Sequence, residues 1–249
     1  MDCNCSKKGQ KLTRIILKES IITESEIIIS EDNLHYLIKV HRHKTGDNIF
    51  VQDKTGSIFK SLITATSKKK VTVRILNQHS IANTPLDISI ITALPKGNIL
   101  DNIIRNLSEL GVNKIIPAIY KRSVAEANQN RLERWKRIAR ESMRQCIRSR
   151  PLIIDNPIFL EDALKNSTSD IKIFLHPYAK ETIGQFFTKR TNKTLTAVIG
   201  PEGGFTDREL ELATKHAFIP LKSGNFILKI ETAILTAAIT GVAHMGGFD

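Results

Sequence analysis

Apolar positions follow two different rhythms along this chain, and the change comes at Leu86. Before it, short β-branched runs alternate with turn signals. The runs are Ile27-Ile28-Ile29, Asn48-Ile49-Phe50-Val51, Ile58-Phe59 with Leu62-Ile63, and Val71-Thr72-Val73-Arg74-Ile75; Gly46-Asp47 and Thr55-Gly56-Ser57 punctuate them. Period-two runs of this kind predict antiparallel strands. One short helix fits over Leu34–Val40. Residues 1–76 therefore read as a small β-barrel domain, and the polar stretch 77–85, ending in Pro85, reads as a linker.

From Leu86 strands alternate with amphipathic helices. Strands are predicted over Ile88–Leu94, Lys114–Ile119, Ile171–His176, Leu195–Ile199 and Phe218–Leu221. Helices are predicted over Ile99–Leu110, Arg131–Arg148, Ile183–Lys189, Thr206–Ala217 and Ile230–His244. That order is the signature of a parallel sheet with helical crossovers, and it makes residues 86–249 an α/β domain. The Arg131–Arg148 helix carries Leu132, Trp135, Ile138, Ala139, Ser142 and Cys146 on one face, with Arg134, Arg137, Arg140, Arg144 and Arg148 around the other. The last helix is apolar nearly all round, so it is expected to bury most of its circumference in the core or against a second subunit.

The densest chemical signal is Ile199-Gly200-Pro201-Glu202-Gly203-Gly204-Phe205-Thr206-Asp207-Arg208-Glu209-Leu210. A buried strand ends at Gly200-Pro201, Gly203-Gly204 open backbone conformations closed to residues with a Cβ, and Thr206 with Glu209 forms a capping box. Strand, glycine loop and helix N-terminus together present backbone N–H groups to a ligand. The plain structural alternative is a tight turn with a cap.

That string, with Ile230-Glu231-Thr232-Ala233 further on, resembles the signature of the 16S rRNA uridine-N3 methyltransferases, a family of the SPOUT class. Leu175-His176-Pro177 is similar to the family's first cofactor loop. Ala93-Leu94-Pro95-Lys96-Gly97, Glu109-Leu110-Gly111-Val112, Gln145-Cys146 with Arg148, and Arg14-Ile15, His35 and Val40 with Arg42 extend the likeness over most of the chain. Phe226 and Lys229 stand where the family commonly has arginines, and Lys121 where it has a glutamate.

The resemblance implies a PUA-like RNA-binding barrel followed by a SPOUT-type parallel sheet with helices on both faces and a C-terminal trefoil knot, which periodicity would never suggest. It implies a homodimer that uses S-adenosyl-L-methionine to methylate N3 of a uridine in 16S rRNA of the small ribosomal subunit. The cofactor would be held by Leu175, His176 and Pro177, by Ile199, Gly200, Pro201, Glu202, Gly203 and Gly204, by Leu221, Ser223, Gly224, Ile227 and Leu228, and by Thr232 and Ala233. His176 reads equally as a structural histidine at a strand end.

Uridine N3 must lose a proton. Glu202 and Glu231 are the carboxylates available in the signature segments, and each has an alternative as a loop brace or a helix-terminal charge. Lys229 could instead stabilise the developing anion. The alternative functions are a SPOUT enzyme acting on another RNA, or a catalytically silent RNA-binding assembly factor, which Phe226 and Lys229 keep in view.

Charge adds a location. The net charge is +12, but residues 121–150 hold 10 Lys and Arg against 3 Asp and Glu, and residues 1–86 hold 14 against 8. Residues 151–249, with 10 against 11, are near neutral. This suits a polyanion gripped away from the chemistry. Arg14, Arg42, Arg122 and Arg148 are the expected phosphate contacts outside the glycine loop, with Lys96 beside them.

Neither a signal peptide nor a run long enough to span a bilayer is present, which points to the cytoplasm and away from membranes. Three cysteines give no disulfide framework, and Cys3 and Cys5 read as part of a frayed tail. Cys146 reads as core filling. No metal is expected, and His41-x-His43 reads as a solvated basic turn. P-loop, Gly-x-Gly-x-x-Gly, His-Glu-x-x-His and Gly-x-Ser-x-Gly patterns are all missing.

Overall fold

The structure is a computed structural model that describes residues 13–17, 26–53, 57–79, 86–123, 129–146, 148, 150–187 and 194–248. The chain divides into two compact units, 1–83 and 84–249. The Cys3/Cys5 tail and residues 80–85 of the expected linker lie outside the described residues.

The first unit contains β1 (Arg14–Ile16), β2 (Glu26–Ile29), α1 (Glu31–His35) running into a π-helical turn (Tyr36–Val40), β3 (Asn48–Gln52), β4 (Ile58–Thr66) and β5 (Val71–His79). They form one sheet in the order β1-β3-β4-β5-β2. Ile15, Ile29, Leu37, Ile49, Val51, Ile63, Val71 and Val73 make its core.

Two expectations change here. The sheet is not wholly antiparallel, because β1 runs parallel to β3, with Arg14 opposite Phe50 and Ile15 opposite Val51. The long return of the chain between those strands permits the parallel pairing. The linker also starts later than residue 77: Asn77, Gln78 and His79 pair with Lys60, Phe59 and Ile58. Polar side chains at the end of a hairpin cost the backbone ladder nothing.

The second unit is built from β6 (Asp87–Ala93), α2 (Ile99–Glu109), β7 (Lys114–Ile119), α3 (Gln129–Gln145), β8 (Ile153–Ile154), β9 (Ile158–Phe159), α4 (Leu160–Lys165), β10 (Ile171–Leu175), α5 (Ile183–Phe187), β11 (Thr194–Ile199), α6 (Asp207–Lys215), β12 (Ile219–Leu221) and α7 (Ile230–His244). The sheet order is β12-β10-β11-β6-β7-β8, with β9 also on β7, and every pairing is parallel. Helices flank it: α7 lies on β6 and β11 beside α2 and α5, α3 packs on α2, and α4 packs on α6. Central strands of such a sheet are covered on both faces and read as continuous apolar runs. Leu195–Ile199 and Ile88, Ile90 and Ile91 are accordingly buried.

Close approach of α7 requires a small residue. A Cβ on Gly241 would stand 2.5 Å from Leu195 Cδ2 and 3.4 Å from Ile88 Cδ1, so a larger residue would lift the helix off the sheet. The helix buries Ile230, Ala233, Ile234, Ala237, Ala238 and Val242, while Ile239 stays exposed. In α3, Leu132, Trp135, Ile138, Ala139, Ser142 and Met143 are buried. Cys146 lies just past the helix end, half-buried, with its thiol 3.6 Å from the Ser108 carbonyl oxygen.

Candidate active site

All strands of the second sheet run the same way, so the loops following β6, β7, β10, β11 and β12 emerge along one edge. In open parallel sheets ligands bind at that carboxyl edge, where the strand order reverses. The chain steps outward from β6 to β7 on one side and later fills the other side with β10, β11 and β12. The reversal therefore falls between β6 and β11, and the glycine loop follows β11.

The three loops expected to hold a cofactor leave three adjacent strands, β12, β10 and β11. Leu175 lies opposite Leu221 at the ends of β10 and β12, and His176 N–H donates to the Leu221 carbonyl at 2.9 Å. Beyond them, Lys222 N–H donates to Glu181 O and Ile183 N–H to Lys222 O, both at 2.9 Å, so these two loops stay zipped together. His176 is half-buried between the rings of Phe174 and Tyr178. Pro177 is exposed.

In the glycine loop, Ile199 and Pro201 are buried, while Glu202 and Gly203 are exposed. Gly204 has φ +70°, the left-handed conformation that favours glycine, and its N–H closes a turn onto Pro201 O at 2.8 Å. Gly203 is not in that region. Gly200 is constrained sterically instead: a Cβ there would sit 2.9 Å from the Phe205 ring. The capping box forms as the sequence predicts, with Glu209 N–H donating to Thr206 Oγ1 at 3.3 Å and Thr206 N–H to Glu209 Oε2 at 2.7 Å.

Sequence reasoning missed the segment that holds this loop from outside. Buried Tyr120 donates its hydroxyl to Ile199 O at 3.0 Å, and Lys121 N–H donates to Glu209 Oε1 at 2.9 Å. Burial first, and the Glu209 charge second, push the Tyr120 pKa well above its ordinary value, so the phenol remains a donor. Arg122 Nη1 donates to Gly203 O at 2.8 Å and Phe205 O at 3.4 Å. Apart from Lys121 standing where the family has a glutamate, no local signal marks these contacts, which join residues about 80 positions apart.

The third loop combines half-buried Ser223, Gly224 and Leu228 with exposed Phe226 and Ile227, 84% and 77% accessible. No atom lies within 4 Å of a Cβ built on Gly204 or on Gly224. Lys229 is exposed at the N-cap of α7, Glu231 is half-buried in its first turn, Thr232 is exposed and Ala233 is buried. The three candidates for proton chemistry thus divide between the β11 loop (Glu202) and the start of α7 (Lys229, Glu231).

The expected phosphate contacts separate by environment. Arg14 is buried in β1. Arg148 donates from Nη1 to Val112 O at 2.8 Å and Ser108 O at 3.1 Å, tying off the end of α2, and burial lowers its pKa. Arg122 does not lie outside the glycine loop, as expected, but on it. Arg131 Nη2 donates to Gly97 O, beside exposed Lys96, and Arg134 pairs with buried Asp101. Exposed arginines remain at Arg137 and Arg140 on α3 and at Arg42.

Arg42 has φ +56° and is framed by anchored histidines. His41 packs on Tyr36, and His43 bridges Asp47 Oδ2 at 3.0 Å and Thr13 Oγ1 at 2.7 Å. These histidines are built into the fold rather than solvated. No three metal-ligating side chains cluster among the described residues, and no helix there is long and apolar enough to cross a membrane.

Fold and site together define an α/β protein with a glycine loop at the carboxyl edge of a parallel sheet. Residues 82–240 match the family model of the RNA methyltransferase domain, and residues 29–76 match that of the RNA methyltransferase PUA domain. The chain is 29% identical over 246 residues to the ribosomal RNA small subunit methyltransferase E of Buchnera aphidicola, covering 96% of each chain. Its counterpart of that name from Rickettsia conorii is 30% identical, with 91% of this chain and 93% of that one covered. The crystal structure of the Neisseria gonorrhoeae enzyme of the same name, bound to S-adenosyl methionine, superposes with a TM-score of 0.81 at 26% identity, covering 94% of this chain and 98% of that one.

The chain belongs to the ribosomal RNA small subunit methyltransferase E family of RNA methyltransferases. The expected α/β methyltransferase fold preceded by a PUA-type unit is the fold found.

Proposed function

We propose that this protein transfers the methyl group of S-adenosylmethionine to N3 of a uridine in 16S rRNA of the small ribosomal subunit, in the cytoplasm. The observation carrying the reading is the convergence of three loops at the ends of three adjacent parallel strands, with the glycine loop at the point where strand order reverses. Family membership supports it.

The residues present suit the cofactor. Gly204 and Gly224 leave open space that a side chain would fill, so backbone can approach a ligand closely. Ile199, Leu221 and Ala233 supply buried apolar surface at the same edge. When bound, S-adenosylmethionine supplies an electrophilic methyl on a sulfonium leaving group. The chain then has to orient the uracil, exclude water and take the N3 proton.

Lys229, exposed at the start of α7, is suited to stabilise the imide anion. Glu231 or Glu202 accepts the proton. Exposed Arg137, Arg140 and Arg42 are suited to phosphates. We extend the reading to a C-terminal trefoil knot and to a homodimer in which the exposed Ile239 side of α7 is covered; sedimentation at micromolar concentration giving a single-chain mass would refute the dimer.

The direct test is methyl incorporation from labelled S-adenosylmethionine into small subunits lacking the modification, with the product nucleoside identified by mass. 3-Methyluridine is the expected product. Another methylated nucleoside, or none, would reject the assignment. Lys229→Ala is expected to slow turnover of bound RNA with little change in RNA affinity.

A further inference from the structure

We infer that Arg122 is a positioning residue for the glycine loop and not a contact to RNA. The inference rests on the reading that this loop seats S-adenosylmethionine.

The tripeptide Tyr120-Lys121-Arg122 meets the loop at its start, middle and end: Ile199 O, Gly203 O with Phe205 O, and Glu209 Oε1. The consequence appears peptide by peptide. A peptide unit is planar, with its C=O and N–H on opposite sides. The 203–204 unit has its oxygen on Arg122 and its N–H on Pro201 O. The 205–206 unit has its oxygen on Arg122 and its N–H on Glu209 Oε2. Both units are thus held from both sides, and Gly204, between them, is fixed at φ +70°.

Phe205 is fixed in turn. Its ring lies over Gly200 and makes edge contacts with Tyr120 at 5.8 Å and Phe174 at 5.7 Å. A loop arranged this way binds without first ordering itself, and that preorganisation appears as affinity.

Gly203 carries the second, independent observation. A Cβ built on it meets neither open space nor the rest of the loop but the Arg122 stem, 3.4 Å from its Cβ and 3.5 Å from its Cδ. These are ordinary contact distances, so the arginine stem lies directly against position 203 while its guanidinium reaches over to two carbonyls. A side chain at 203 would act on the cofactor through Arg122, which makes the two positions energetically coupled.

The test is calorimetry with S-adenosylhomocysteine on the full chain: wild type, Arg122→Ala, Arg122→Lys, Gly203→Val and the Arg122→Ala/Gly203→Val double variant. Arg122→Ala should weaken binding about tenfold, from two lost charge-assisted hydrogen bonds at an exposed position. Arg122→Lys should recover part of that loss. Gly203→Val, whose methyls reach past a Cβ already in contact with the Arg122 stem, should weaken binding about threefold alone and add nothing in the Arg122→Ala background.

In turnover, Arg122→Ala should raise KM for S-adenosylmethionine by the same factor, leaving kcat and the salt dependence of RNA binding unchanged. S-adenosylhomocysteine affinity equal to wild type in Arg122→Ala, or strictly additive effects in the double variant, would overturn the inference. Intact cofactor affinity with a flatter salt dependence would make Arg122 a phosphate contact. Failure of the wild type itself to bind would instead strike the cofactor reading.

Discussion

The basic segment 121–150 contains two populations of arginine that its charge alone does not distinguish. At its ends, Arg122 and Arg148 spend their guanidinium groups on backbone carbonyls, and Arg131 and Arg134 do similar work on Gly97 O and Asp101. On the exposed side of α3, Arg137 and Arg140 face solvent, with Arg137 in a long 3.9 Å pair with Glu141. In the first group, Arg122, Arg131 and Arg134 act at the carboxyl edge of the sheet, and Arg148 fixes the loop that leads from α2 into β7. The second supplies the field a polyanion would meet. A planar guanidinium with five donors can satisfy several carbonyls where lysine satisfies fewer, which suits arginine to the first task as much as to phosphate. A count of positive charge therefore overstates the RNA-binding surface.

The sharpest division comes from Arg148→Ala. It removes two hydrogen bonds from a half-buried guanidinium and takes its donor from the Val112 carbonyl, while Ser108 O keeps the Gly111 N–H at 3.3 Å, a loss of about 2 kcal/mol. Melting should fall by roughly 5–10 °C, while the salt dependence of RNA binding stays at its wild-type value. A flattened salt dependence with unchanged melting would return Arg148 to the phosphate contacts.

Glu209→Ala comes next, at about 2 kcal/mol, because it removes the carboxylate half of the cap, on Thr206 N–H and Oγ1, and the acceptor for Lys121 N–H, while the backbone half from Glu209 N–H to Thr206 Oγ1 remains. It should lower melting and weaken S-adenosylhomocysteine together; loss of only one would uncouple the cap from the loop.

Replacing Arg137 and Arg140 together by alanine should reduce the salt slope of RNA binding by about two units, leaving melting and cofactor affinity alone. The smallest effect is expected for Arg42→Ala, about one unit of slope and weaker RNA binding, again with intact cofactor affinity. Equal affinity and slope for Arg42→Ala and wild type would confine the RNA face to α3.

The features legible in the sequence were those whose causes are local. The capping box, the strand ending at Gly200, and the α7 span Ile230–His244 each rest on residues a few positions apart, and each is found. Strands of two or three residues, β1, β8 and β9, and the six-residue α4 carry too little periodicity to be read. Gly203 and Gly204 looked alike as a pair, yet only Gly204 uses the left-handed region, and Gly203 instead adjoins an arginine stem from another loop. The roles of Tyr120, Arg122 and Arg148 depend on carbonyls brought near by the sheet; charge pointed the two arginines outward, and nothing local marked Tyr120.

The central claim is that the loops after β10, β11 and β12 form the cofactor seat, with residues 120–122 holding it. Amide hydrogen exchange with and without S-adenosylhomocysteine tests it most directly. Exchange is expected to slow in 176–179, 200–206 and 222–228, and in 120–123 through the contacts to the loop, with β3, β4 and β5 of the first unit unchanged. Protection elsewhere, with none in 200–206, would contradict it.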